Sequence, residues 1–67
     1  MNFSILLRTH LKNKNMKLID LAKLLGISRQ SLNNSLNRWE SRDPTIKTIK
    51  KISIVLNISP SYFFDEL

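Results

Sequence analysis

Residues 18–36 read LIDLAKLLGISRQSLNNSL, an apolar helical pattern that stops at Gly26 and restarts behind Ser28. Leu21, Ala22 and Leu25 recur at the spacing of one helix face, and the small Ala22 lets a second helix cross closely. Gly26 supplies the left-handed backbone that ends this helix. Ile27 is expected to plug the corner, Ser28 to accept from the free amides of a new helix, and Leu32 and Leu36 to return that helix to the same core. The pattern predicts a helix over about 17–25, a turn at 26–28 and a second helix over about 29–37. Arg29, Gln30, Ser31, Asn33 and Asn34 are left facing outward. Two readings of that face stay open. Arg, Gln and Asn carry the paired donors and acceptors that match base edges in the major groove of DNA, while a polar outer face is also what any surface helix presents.

Composition narrows the field. A chain of 67 residues has room for one domain with one modest core. It contains no cysteine, so neither disulfides nor thiolate metal sites are available. His10 is the only histidine and the five carboxylates show no metal-ligand spacing; no metal, cofactor or small-molecule ligand is expected. Apolar runs such as Ile5–Leu7 and Tyr62–Phe64 are three residues long, far short of a membrane span, and a soluble cytosolic protein is expected. No serine–histidine–carboxylate set, glycine-rich phosphate loop or paired carboxylates can be assembled, which argues against an enzyme.

Charge is lopsided as well as positive. All eleven Lys and Arg fall between Arg8 and Lys51, against three carboxylates in that stretch, while Asp65 and Glu66 lie at the end. Such an excess is a footprint for phosphate polymers or anionic membranes, and the base-reading side chains around Arg29 favour nucleic acid; solubility alone is the bland alternative.

No linker, repeat or low-complexity tract interrupts the chain, and residues 1–67 read as a single unit. A first helix is expected from Asn2 or Phe3 to Leu11, with Phe3, Leu6, Leu7 and Leu11 inward and Asn13–Asn15 ending it. Pro44 biases Asp43 away from helix, Thr45 can cap a new helix, and Ile46, Ile49, Ile52 and Leu56 repeat at helical spacing. Asn57 tolerates a left-handed helix end, Ser59-Pro60 opens a last turn, and Tyr62, Phe63 and Leu67 are expected to close the core.

The order of these signals resembles the Cro and C1 repressor family, the XRE-type helix-turn-helix domains. DLAKLLGISRQSL (20–32) is similar to the family's helices two and three, and PTIKTIKKISIVLNISPSYFFDEL (44–67) to its proline, fourth helix, turn and short last helix. The resemblance implies an all-α, compact five-helix bundle with a recognition helix behind Gly26. It places Arg29, Gln30 and Asn34 against base edges of double-stranded DNA, with Ser31 and Asn33 beside them and Ser28 as cap and phosphate ligand. Leu18 stands where the family usually has a backbone-bracing glutamine. Lys17 stands where a Ser or Thr would cap helix two; it cannot cap, but it can reach a phosphate. The segment 37–43 is one or two residues longer than the common form, and the aromatic that often comes after the recognition helix is displaced to Trp39, read as core cover in preference to a partner contact. Arg38, Arg42 and Lys47 are expected along the sugar-phosphate backbone.

One such module reads few base pairs, so the resemblance implies a homodimer on a palindromic operator. No coiled-coil heptad is present, which leaves Ile54, Ile58, Tyr62 and Phe64 as the expected interface; completion of the core is the alternative for those four. A repressor acting on its own promoter, in a bacterial or phage-infected cytoplasm, is the implied role, with no further domain expected after Leu67. The competing class is a small helical protein-interaction module with only non-specific DNA affinity. A membrane-surface role is disfavoured because the apolar face of helix one is needed for the core.

Overall fold

The computed structural model describes residues 2–64, and its regular structure is all helical: α1 (Phe3–Asn13), α2 (Leu18–Leu25), α3 (Arg29–Arg38), α4 (Ile46–Leu56) and α5 (Ser61–Phe64). Leu67, expected in the core, and the Asp65–Glu66 pair lie outside the described residues.

Helix starts depend on short polar side chains. Asn2 Oδ1 accepts from the Ile5 amide at 2.8 Å, Ser28 Oγ from Ser31 at 3.0 Å and Thr45 Oγ1 from Thr48 at 3.3 Å, each satisfying an amide that has no partner inside its helix. α2 is the exception. Lys17 stands at its cap position without a side-chain bond to the helix, because an ammonium has no lone pair to offer. Asp20 compensates in the reverse direction, its Oδ2 accepting from the Lys17 amide at 3.0 Å.

Three helix ends share one device. Asn15, Gly26 and Asn57 adopt positive φ of 56°, 71° and 58°, and the next residue donates back into the helix: Met16 to Leu11, Ile27 to Ala22, Ile58 to Ser53, at 2.9 to 3.0 Å. Met16 and Ile58 fold onto the core after their turns. Ile27 does not plug its corner as expected. It stays 40% exposed, because Leu25, Leu32 and Trp39 line an open slot around it instead of closing over it.

The core is a single cluster of Phe3, Leu6, Leu7, Leu11, Leu21, Ala22, Leu32, Leu36, Trp39, Ile49, Ile52 and Phe63. α2 packs against both α3 and α4, the fully buried Ala22 presenting only a methyl group on that face. Phe3 is the aromatic hub: Trp39 meets it edge-on at 5.4 Å and Phe63 lies tilted at 4.9 Å, so the residue after α3 and the last helix both close on the first helix. Trp39 is 9% exposed, in agreement with its reading as core cover.

Ile46, although it begins the helical repeat, is not part of the core; it is 62% exposed at the first turn of α4. Ser53 fills the inner face instead, buried with its hydroxyl donating to the Ile49 carbonyl at 2.8 Å. Tyr62 does not enter the core beside Phe63 either, but lies half-exposed across the His10 ring at 5.2 Å, with its hydroxyl end free to stay wet.

Candidate nucleic-acid interface

The turn Gly26–Ser28 sets α3 behind α2, and the buried Leu32 and Leu36 fix which side of α3 faces outward. Arg29, Gln30, Ser31 and Asn34 are exposed, and Asn33 is half-buried at the shoulder between the two faces. Gln30 Nε2 donates to Asn34 Oδ1 at 3.2 Å, one turn apart, so the two amides form a shared polar edge that still presents the Gln30 carbonyl and the Asn34 amide donors to solvent. Asn37 is also exposed, one turn beyond Asn34 on the same side. It is absent from the expected set, although its spacing of three from Asn34 is the signal that could have found it.

The start of α3 lies beside the start of α2. Lys17, Leu18, Ile19 and Arg29 line one open groove of about 350 Å³, bringing a cation from each helix to the same depression. Leu18 is half-buried and packs on the core, which is what this chain does with the position the resemblance assigns to a bracing glutamine. Neither Leu18 nor Ile19 can hydrogen-bond Arg29 through its side chain, so the α2 residues of this groove offer the guanidinium no side-chain acceptor.

Of the remaining expected phosphate ligands, Ser28 is already engaged as cap of α3, its Oγ accepting from the Ser31 amide while its hydroxyl proton stays available. Arg38 ends α3 with Nη2 donating to Ser35 Oγ at 3.2 Å, which ties its exposed side chain back along the helix. Arg42 is exposed in the segment between α3 and α4, and Lys47 is exposed in the first turn of α4. Lys17, Arg29, Arg38, Arg42 and Lys47 are thus all solvent-facing, at the start of α2, along α3, between α3 and α4 and at the start of α4.

The C-terminal set divides. Ile54 on α4 is 76% exposed, and Tyr62 and Phe64 are exposed on α5, but Ile58 is half-buried against the core. The only histidine is not part of the polar face. His10 is buried in α1 with Nε2 lacking a partner, and its pKa is lowered from the ordinary 6.5, first by burial and then by the nearby Lys14 charge. Among the described residues no group of His, Cys, Asp or Glu is placed to hold a metal ion, and no helix is long and apolar enough to cross a membrane.

Two helices joined by a three-residue turn, the second presenting amide and guanidinium groups over a basic surface, define a DNA-binding helix-turn-helix protein. A family model described as Helix-turn-helix matches residues 7–63, and the chain belongs to this Cro/C1-type, XRE helix-turn-helix family of DNA-binding regulators. No curated protein and no solved structure gives a significant match to the chain.

Proposed function

We propose that this protein is a sequence-specific transcriptional repressor that acts, with residues 1–67 as one DNA-binding unit, as a dimer on a palindromic operator that includes its own promoter. The observation that carries the reading is the exposed polar edge of α3, where Arg29, Gln30 and Asn34 offer the donor and acceptor pairs that major-groove edges require. Arg29 bonds guanine O6 and N7 with both arms of its fork. Gln30 or Asn34 suits adenine N6 and N7, and Ser31 and Asn33 contact from the flanks. Lys17, Ser28, Arg38, Arg42 and Lys47 hold phosphates, the four cations releasing counterions, and together they supply affinity without regard to sequence.

Dimerisation through Tyr62 and Phe64, with Ile54 and Ile58 contributing, doubles the number of bases read. The two recognition helices then meet half-sites about one helical turn apart. Repression results from occlusion: a small protein covering a promoter blocks polymerase without any further contact. Chemistry on a substrate has no part in this role, which matches a family whose members are typically non-enzymatic regulators.

Anisotropy titrations with the duplex upstream of the gene and a scrambled duplex of equal length, at two salt concentrations, test the reading. Tight binding of the native duplex alone supports it. Equal, salt-sensitive binding of both would remove specificity from the claim, and binding of neither would favour the protein-interaction class instead.

A further inference from the structure

α4 carries a second exposed surface, which base reading by α3 leaves unused. Ile46, Ile54 and Val55 line an open groove of about 590 Å³ together with Lys47, Lys50 and Lys51. Ile46 and Ile54 are the two most exposed of the chain's large apolar side chains among the described residues, at 62% and 76%. A phosphate backbone has use for the three lysines and none for the two isoleucines. α4 itself contains no carboxylate, so nothing on the helix neutralises its lysines.

We propose that this groove is a docking site for an acidic amphipathic helix of another protein. Charge selects the occupant. A second copy laid α4 against α4 would bring Lys47, Lys50 and Lys51 onto their own counterparts, a like-charge juxtaposition, whereas a helix rich in Asp and Glu meets the same rim with opposite sign. Spacing selects a helix. Ile46 and Ile54 are eight residues apart on one helix, about 12 Å along its axis, which matches apolar anchors two turns apart on a partner helix lying alongside. The consequence for DNA rests on the functional reading above: Lys47 belongs to the proposed phosphate set and Ile54 to the proposed dimer surface, so an occupied groove withdraws both. The site is one at which an acidic partner lifts repression.

A displayed library of glutamate-rich helical peptides, randomised at its apolar positions, is selected against the full chain, and the best binder is synthesised with a fluorescent label. Saturable binding is expected, and Ile54→Ser and Lys50→Glu should each weaken it about tenfold with circular dichroism unchanged. Saturating peptide should also raise the protein concentration needed to half-saturate a duplex. Failure to select any peptide, or equal binding by a version with its apolar residues replaced by glutamine, overturns the proposal. So does insensitivity to both Ile46→Ser and Ile54→Ser, or a loss of self-association in Ile46→Ser during sedimentation, which would make the groove an interface between copies. The peptide titration contains no DNA, so failure of duplex binding would strike the functional reading alone.

Discussion

α3 and α4 are both surface helices with one buried face, yet their outer faces are built from opposite chemistry. α3 turns Gln30, Asn34 and Asn37 to solvent between arginines, and α4 turns Ile46 and Ile54 to solvent on either side of its lysines. Amides and guanidinium forks reward only partners whose donors and acceptors are placed to match, which is how sequence is read. Methyl groups reward any apolar surface that excludes water, and ammonium groups any nearby anion. Net positive charge alone therefore does not mark a recognition face. The polar groups set among the charges decide whether that face discriminates bases or docks an apolar partner.

The largest effect that would sharpen this contrast comes from the buried side of α3. Leu32 and Leu36 are fully buried, and Leu36→Ala should cost about 2 to 5 kcal/mol of stability in urea unfolding. Asn34→Ala, two residues away on the exposed side, should change stability by less than about 0.5 kcal/mol while weakening duplex binding. Comparable losses of stability from both would mean that the polar face is structural.

Next in size is Arg29→Ala, expected to lose about 1 to 3 kcal/mol of discrimination between the preferred duplex and one with its guanine replaced. Anisotropy on the two duplexes measures it. An equal loss on both would make Arg29 a phosphate ligand and move the reading surface elsewhere along α3.

Lys17 sits where stability and binding pull in different directions. Lys17→Ser should restore the missing cap of α2 and stabilise the fold by about 0.5 to 1 kcal/mol, while flattening the salt dependence of DNA binding by about one unit of slope. Thermal melts and a salt titration of the same variant check both halves. A steeper salt dependence, or none of the expected gain in melting temperature, would contradict this account of the position.

The smallest effect is set by His10, away from both outer faces. Its lowered pKa means that the fold favours the neutral ring. The stabilisation is therefore whole above pH 6.5, and it falls away as the pH drops below that value toward the folded-state pKa. Melting temperature should decline between about pH 7 and pH 5 more steeply in the native protein than in His10→Leu. Parallel declines would show that carboxylates elsewhere dominate the pH response.

Much of this was legible in the residues themselves, for local reasons. Gly26, Ser28, Thr45 and Asn57 act through their own backbone and their nearest amides, so the turn and three helix ends need no knowledge of the tertiary fold. Leu21, Ala22, Leu32 and Leu36 are inward because a four-residue repeat leaves them no other common face. What was not legible depends on where one helix stops touching another. Ile46 continues the repeat of Ile49 and Ile52 but overhangs the packed region, and Ser53 takes an inner position that its polarity alone would assign outward. Ile27 fails to bury because the corner it enters stays open. On the candidate interface, Arg29, Gln30, Ser31 and Asn34 were readable as outward by their offset from Leu32 and Leu36. The depth of Asn33, the exposure of Asn37 and the groove that joins Lys17 to Arg29 required the packed α2–α3 pair.

The contrast between the two outer faces is tested most directly by titrating the isotope-labelled protein with a selected duplex and tracking its backbone amide and side-chain amide signals by NMR. The largest shifts are expected from Ser28 to Asn37, including the Gln30 and Asn34 side-chain amides, with Ile54 and Val55 little changed. Shifts centred on Ile54 and Lys51, with the Gln30 and Asn34 amides unmoved, would contradict it.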